Sequence, residues 1–166
     1  KRELGAAFDA DIADAEKQRA GRLAAALDPE EFAGKRVVVS GGTKGAGRAA
    51  LQRFQAGGAR VLTAARSAPD ELAPSLVQAD LSTPEGALAL AEAAQSRLGG
   101  VDVLVHVVGG SSAPGGGFSV LTDEIWRAEL ELNLMSAVRL DRALIPAMAE
   151  RGSGAIVHVS SIQRRL

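Results

Sequence analysis

The order of elements in this 166-residue chain predicts an α/β fold built on a doubly wound parallel sheet. Three observations carry that prediction. Short apolar runs alternate with helical stretches in the order β-α-β-turn-β-α-β-α-β. The runs are continuously apolar rather than alternating, as in strands buried on both faces. A glycine-rich turn joins the first run directly to the first helix. Right-handed crossovers then leave an open sheet, covered by helices on both sides, as the simplest arrangement.

Residues 1–34 read as an N-terminal helical extension ahead of a main domain at 35–166. Phe8, Ile12, Ala15, Leu23 and Leu27 form an apolar stripe of helical spacing, interrupted by Arg19. Asp28-Pro29-Glu30-Glu31 then has the composition of a second helix start: a capping Asp, a proline at the first position and acids in the first turn. Such a segment is an arm or linker from an upstream domain, or a helix packed on the outer face of the main one; the pattern favours the packed helix.

From Lys35 the rhythm changes. Val37-Val38-Val39 is the first buried strand, and glycines fill 41–47. A helix follows from Arg48 to about Ala56, stopped by Gly57-Gly58. Val61 to Ala65 is the second strand and Leu76-Val77 a short third one leading to Asp80. Pro84 opens an alanine-rich helix that ends at Gly99-Gly100. Val101 to Val108 is the longest strand-like stretch; 109–117 is a Gly/Ser loop placed where an active-site loop would be. Residues 122–150 are helical, and Ala155 to Val159 is the last strand.

Composition narrows the function. With 46% hydrophobic and 23% charged residues the chain can bury a core. A net charge of −1 offers no basic field for nucleic acid and no cationic face for a membrane, and no apolar run reaches bilayer length. There is no cysteine, hence no disulfide, thiolate site or cysteine nucleophile. The two histidines, His106 and His158, lie far apart in sequence, so no metal site is expected. The cytoplasm is the expected compartment. The chain opens on Lys1 rather than Met, so a fragment of a longer polypeptide is one expectation.

Gly41, Gly45 and Gly47 lie between strand and helix, where a turn without side chains lets the backbone approach a pyrophosphate and the helix N-terminus offers free N–H groups. The second strand speaks to which dinucleotide. An NAD site carries an acid near its end for the ribose hydroxyls. Here Ala64-Ala65-Arg66 stands instead, with Lys44 in the glycine turn. Two cations there suit a 2′-phosphate and thus NADP(H); the plainer alternative is that both are solvated surface charges.

These residues resemble the short-chain dehydrogenase/reductase family from about Gly34 to Leu166. Ser40-Gly41-Gly42-Thr43-Lys44-Gly45-Ala46-Gly47 resembles the family's T-G-x-x-x-G-x-G cofactor motif, with Ser for Thr. The resemblance implies cofactor contacts from Gly41, Thr43, Lys44, Gly45, Ala46 and Gly47, from Arg66, from the pair Asp80-Leu81 beside the adenine, and from Gly109. It implies catalytic roles for Asn133, which would hold a water, and for Ser161, which would hydrogen-bond the carbonyl oxygen at the end of Ile156-Val157-His158-Val159-Ser160-Ser161. The family's N-N-A-G stretch reads His106-Val107-Val108-Gly109 here, so His106 is expected to brace neighbouring strands in place of Asn. The family's Tyr-x-x-x-Lys pair falls beyond the sequence: Leu166 lies five residues past Ser161 and there is no tyrosine. The final elements of the sheet are likewise missing. The expectation is an NADPH-dependent reductase exchanging hydride with a ketone or alcohol, a small-molecule carbonyl substrate, and a homo-oligomer, dimer or tetramer. A non-catalytic nucleotide-binding module, or the reductase part of a fused polypeptide, is the alternative.

Overall fold

The computed structural model describes residues 28–67 and 70–160. Strand β1 (Arg36–Ser40) leads through the glycine turn into α1 (Gly45–Ala56) and β2 (Arg60–Ala65). A 3-10 turn at Asp70–Ser75 precedes β3 (Leu76–Gln78). Helix α2 (Pro84–Ala93) runs on through a π turn, Ala94–Leu98, to β4 (Val103–His106). After the glycine loop come α3 (Asp123–Leu130), a π turn at Glu131–Met135, α4 (Ser136–Glu150) and β5 (Ala155–His158). All pairings are parallel, in the order β3-β2-β1-β4-β5. The expected doubly wound Rossmann-like sheet is therefore present.

The unbroken valine run of β1 has a direct packing cause. Val37 and Val39 face one core with Leu51 of α1, Val61, Leu76 and Val105. Val38 faces the other with Leu62, Leu90 of α2, Leu104, and Leu140 and Leu144 of α4. A strand that feeds two cores must be apolar at every position. The direction in which successive strands are added to the sheet reverses between β1 and β4, and a crevice opens there at the carboxyl ends of the strands.

Local signals set the helix ends. Thr83 caps α2, its hydroxyl accepting from the Gly86 N–H at 3.1 Å, with Pro84 in the first turn. Thr122 caps α3 through the Ile125 N–H. At the opposite edge of the sheet Arg36 grips Asp102: its backbone N–H and Nε each donate to Oδ2 at 2.9 Å, and Nη2 to Oδ1 at 2.5 Å. That fork holds the Asp102 carboxyl down at a pKa of about 2 and ties the starts of β1 and β4.

Four expectations need correction. Asp28 to Gly34 form turns, not a helix: the Phe32 N–H donates to Gly57 O at 2.7 Å, and its ring docks on Phe54 with centroids 4.7 Å apart and on the Arg53 guanidinium. The segment is thereby held against the end of α1; residues 1–27 and their apolar stripe lie outside the described residues. Helix α1 begins at Gly45, three residues earlier than expected, because it starts inside the glycine turn. The Val101–Val108 stretch pairs only from Val103 to His106, since beyond it the Val107 N–H turns to Ser40. The 122–150 helix contains a π turn rather than running uniformly.

Candidate functional site

The turn after β1 is shaped by close approach. Gly41 has φ +75°, and a Cβ there would meet Val108 backbone at 3.0 Å. A Cβ on Gly47 would stand 2.2 Å from the Gly41 carbonyl oxygen, so α1 can pack on the turn only without a side chain. Gly45 differs: at φ +51° its absent Cβ would point into open space. The first turn of α1 carries no acid, and its N-cap, Lys44, makes no side-chain cap.

Two buried hydroxyls that the sequence reading did not assign a role hold this turn in place. Thr63 Oγ1, on β2, accepts from the Gly42 N–H at 2.8 Å. Ser40 Oγ accepts from the N–H groups of Val107 and Val108 at 3.1 and 3.3 Å. Both residues are fully buried. Their signal in the sequence was a polar residue inside an apolar strand, which marks a satisfied hydrogen bond rather than a surface.

A cleft of about 690 Å³ opens above the carboxyl ends of β1, β2, β3 and β4. Gly41, Thr43, Lys44, Gly45, Ala46, Arg66, Asp80, Leu81 and Gly109 all line it. Gly47 lies buried beneath. Ser82 donates to Asp80 Oδ1 through both its backbone N–H (3.0 Å) and its hydroxyl (2.7 Å). These bonds, with the nearby Arg66 charge, hold the Asp80 carboxyl below the usual carboxylate range. Arg139 of α4 donates to Ser82 O at 3.1 Å and pairs with Glu131, fastening the segment after β3 to the far helix.

Asn133 sits in the π turn at the mouth of the glycine loop. Its Oδ1 accepts from the Gly110 N–H at 2.9 Å, and its Nδ2 donates to Gly110 O at 2.8 Å and to Glu129 O at 2.9 Å. The side chain thus clamps the loop directly after Gly109. Ser161 lies outside the described residues; Ser160, its neighbour, is exposed beyond the end of β5.

His106 and His158 are brought together, against the reasoning that sequence distance separates them. They are ladder partners on β4 and β5, stacked with ring centroids 4.5 Å apart. His106 does brace, but toward a helix: its Nε2 lies 2.8 Å from Asp141 Oδ1 on α4. Burial pushes its pKa below the ordinary histidine value, partly offset by Asp141.

A parallel sheet of this order, with a glycine turn at the switch point, defines a doubly wound α/β protein of the Rossmann-like class. Residues 35–165 match the short chain dehydrogenase family, and the chain belongs to it. It is similar to a short chain dehydrogenase of Pseudocercospora fijiensis, 34% identical over 157 residues, covering 82% of this chain and 49% of the other. Among solved structures, L-sorbose reductase from Gluconobacter frateurii, complexed with NADPH and L-sorbose, aligns with a TM-score of 0.72 and 35% identity over 81% of this chain and 55% of its own. A metagenomic short-chain oxidoreductase in complex with NADP aligns at 0.74 with 28% identity, over 80% of this chain and 65% of its own. The chain spans about half the length of the curated relatives it matches.

Proposed function

We propose that this chain forms the cofactor-binding part of an NADP(H)-dependent reductase, which passes hydride between the nicotinamide and a ketone or alcohol. The observation that carries the reading is the convergence of Lys44 and Arg66 on one cleft, where β2 ends without an acid. Similarity to proteins solved with NADPH and NADP supports it. The residues present fit such a group. The Gly45 position opens a gap that a Cβ would fill, and α1 points an uncapped, acid-free N-terminus at the turn.

When bound, the nicotinamide supplies the hydride. The chain's own residues bind and orient. Backbone N–H groups from Gly45 onward receive the pyrophosphate, the dipole of α1 adding to the attraction. Arg66, with its planar fork, and Lys44 hold the 2′-phosphate. Asp80, its carboxylate held by Ser82, and Leu81 would hold the adenine. Asn133 sets the glycine loop that borders the substrate side, and Ser161 donates to the carbonyl oxygen as negative charge develops there. We infer further that the protein acts in the cytoplasm and as a homo-oligomer; Trp126, Leu130 and Leu134, which stay 41–51% exposed along α3 and the turn after it, support the second inference. Among the described residues no helix is long and apolar enough to cross a membrane.

The test is a fluorescence titration of wild type and Arg66→Ala with NADPH and NADH. Wild type should favour NADPH, and the variant should lose about ten- to a hundredfold of NADPH affinity while keeping that for NADH. Equal binding of the two cofactors by wild type refutes the reading.

A further inference from the structure

We propose that His106, His158 and Asp141 form a binding site for one divalent transition-metal ion of the zinc type, clamping β5 to β4 and α4. The cluster is built by the fold rather than by a sequence motif. Parallel register sets residues 106 and 158 opposite each other on adjacent strands, so their side chains leave the same face of the sheet. Helix α4 covers that face and presents Asp141 to the Nε2 atoms of both rings. Its Oδ1 lies 2.8 Å from His106 Nε2, and its Oδ2 lies 3.7 Å from His158 Nε2.

The second of these distances is too long for a hydrogen bond. One carboxylate thus faces two imidazole nitrogens and satisfies only one of them. One ligand atom from each of the three residues falls within a sphere of mutual separations below 4.8 Å. Ligands at ~2.1 Å around a tetrahedral ion stand about 3.4 Å apart, so the widest separation must close by up to roughly 1.4 Å while the 2.8 Å His106–Asp141 contact opens by roughly 0.6 Å. His158 can supply that movement. Its side chain is 56% exposed, whereas that of His106 is 5% exposed and fixed. Water would complete the four-coordinate set as the fourth ligand. Two imidazoles and one carboxylate are the borderline donors that zinc, cobalt and nickel prefer over calcium or magnesium.

One feature of His106 limits the strength of the site. Its Nδ1 is buried and has no hydrogen-bond partner among the described residues. A ring that ligates through Nε2 carries its proton on Nδ1, where no acceptor waits. The unmatched donor weakens binding by about ten- to a hundredfold relative to a site with a complete outer shell. Affinity on the order of micromolar, rather than nanomolar, follows.

The experiment titrates ZnCl2 into the untagged, EDTA-stripped protein by calorimetry at neutral pH, with thermal melts alongside. The expected result is one equivalent bound and a rise in Tm. His158→Ala, which removes a half-exposed ring, and Asp141→Asn should each weaken binding at least tenfold while circular dichroism stays unchanged. Cobalt(II) gives a readout on wild type alone: visible bands of a four-coordinate N/O site should appear with the same stoichiometry. Absence of saturable zinc binding overturns the proposal. So does zinc binding that both variants retain within tenfold, or cobalt bands typical of the aquo ion.

Discussion

Replacing Gly47 by alanine probes the contact on which the glycine turn after β1 depends. The added Cβ would lie 2.2 Å from the Gly41 carbonyl oxygen and 2.9 Å from its carbon. Relief of that clash requires a shift of about 1 Å, and both sides of the contact are backbone, so no rotamer can absorb it. Overpacking of this kind costs about 1–3 kcal/mol, with a backbone clash at the upper end. Alanine returns about 1 kcal/mol through its better helix propensity. The net expectation is a destabilisation of about 2 kcal/mol, together with loss of most NADPH affinity, because the Gly41 carbonyl and the N–H groups of α1 move apart. Gly45→Ala is the control. Its Cβ meets nothing within 4 Å but adopts φ +51° inside the cleft; it should lose cofactor affinity with a smaller stability change, about 1–2 kcal/mol. Urea melts and NADPH titrations on both variants decide the matter. A Gly47→Ala protein with the wild-type midpoint and wild-type affinity would refute the close-packing argument.

Other expectations follow from the same geometry. The Asp102 carboxyl has a folded pKa of about 2, below its unfolded value near 3.9, so the Arg36 pairing stabilises the fold fully above about pH 5 and the effect fades as pH falls toward 2. With the pair partly exposed, the contribution is about 1–2 kcal/mol; Asp102→Asn should remove it and flatten the stability profile over that range in acid melts. In the full-length protein, Ser161→Ala should lower kcat with a reducible ketone by about 10²–10³-fold and leave NADPH affinity unchanged. Full turnover by that variant would remove Ser161 from the proposed chemistry.

Much of the strand-and-turn framework around the cleft was legible because local chemistry dictates it. A valine run between two cores, a turn that excludes side chains and Pro84 behind the Thr83 cap each determine structure within a few residues. Gly86 was not singled out in the sequence: a Cβ there would stand 1.9 Å from Asp80 O, so the start of α2 packs directly on the segment that carries Asp80 and Leu81. What escaped the sequence depends on register and tertiary contact. The helix expected from Asp28 gives way to turns because Phe32 is captured by Phe54 and Gly57. The strand expected to reach Val108 leaves the ladder at His106 because Ser40 takes the next two N–H groups. The pairing of His106 with His158 is a property of parallel register alone, invisible at a separation of 52 residues. Asn133 was found through its motif, but its two bonds to Gly110 could be known only once the loop was seen folded against the π turn.

The central claim is that a pyridine dinucleotide carrying a 2′-phosphate lies across the switch point between β1 and β4. Backbone amide shifts in a nitrogen-15 NMR titration with NADPH test it most directly. Saturable shifts should concentrate in residues 41–48, 66–67, 80–82 and 107–110, with NADH producing smaller changes at Lys44, Arg66 and Ser67. Shifts centred instead on the groove formed by Ile145, Met148 and Ile156, or no saturable shifts at all, would contradict it.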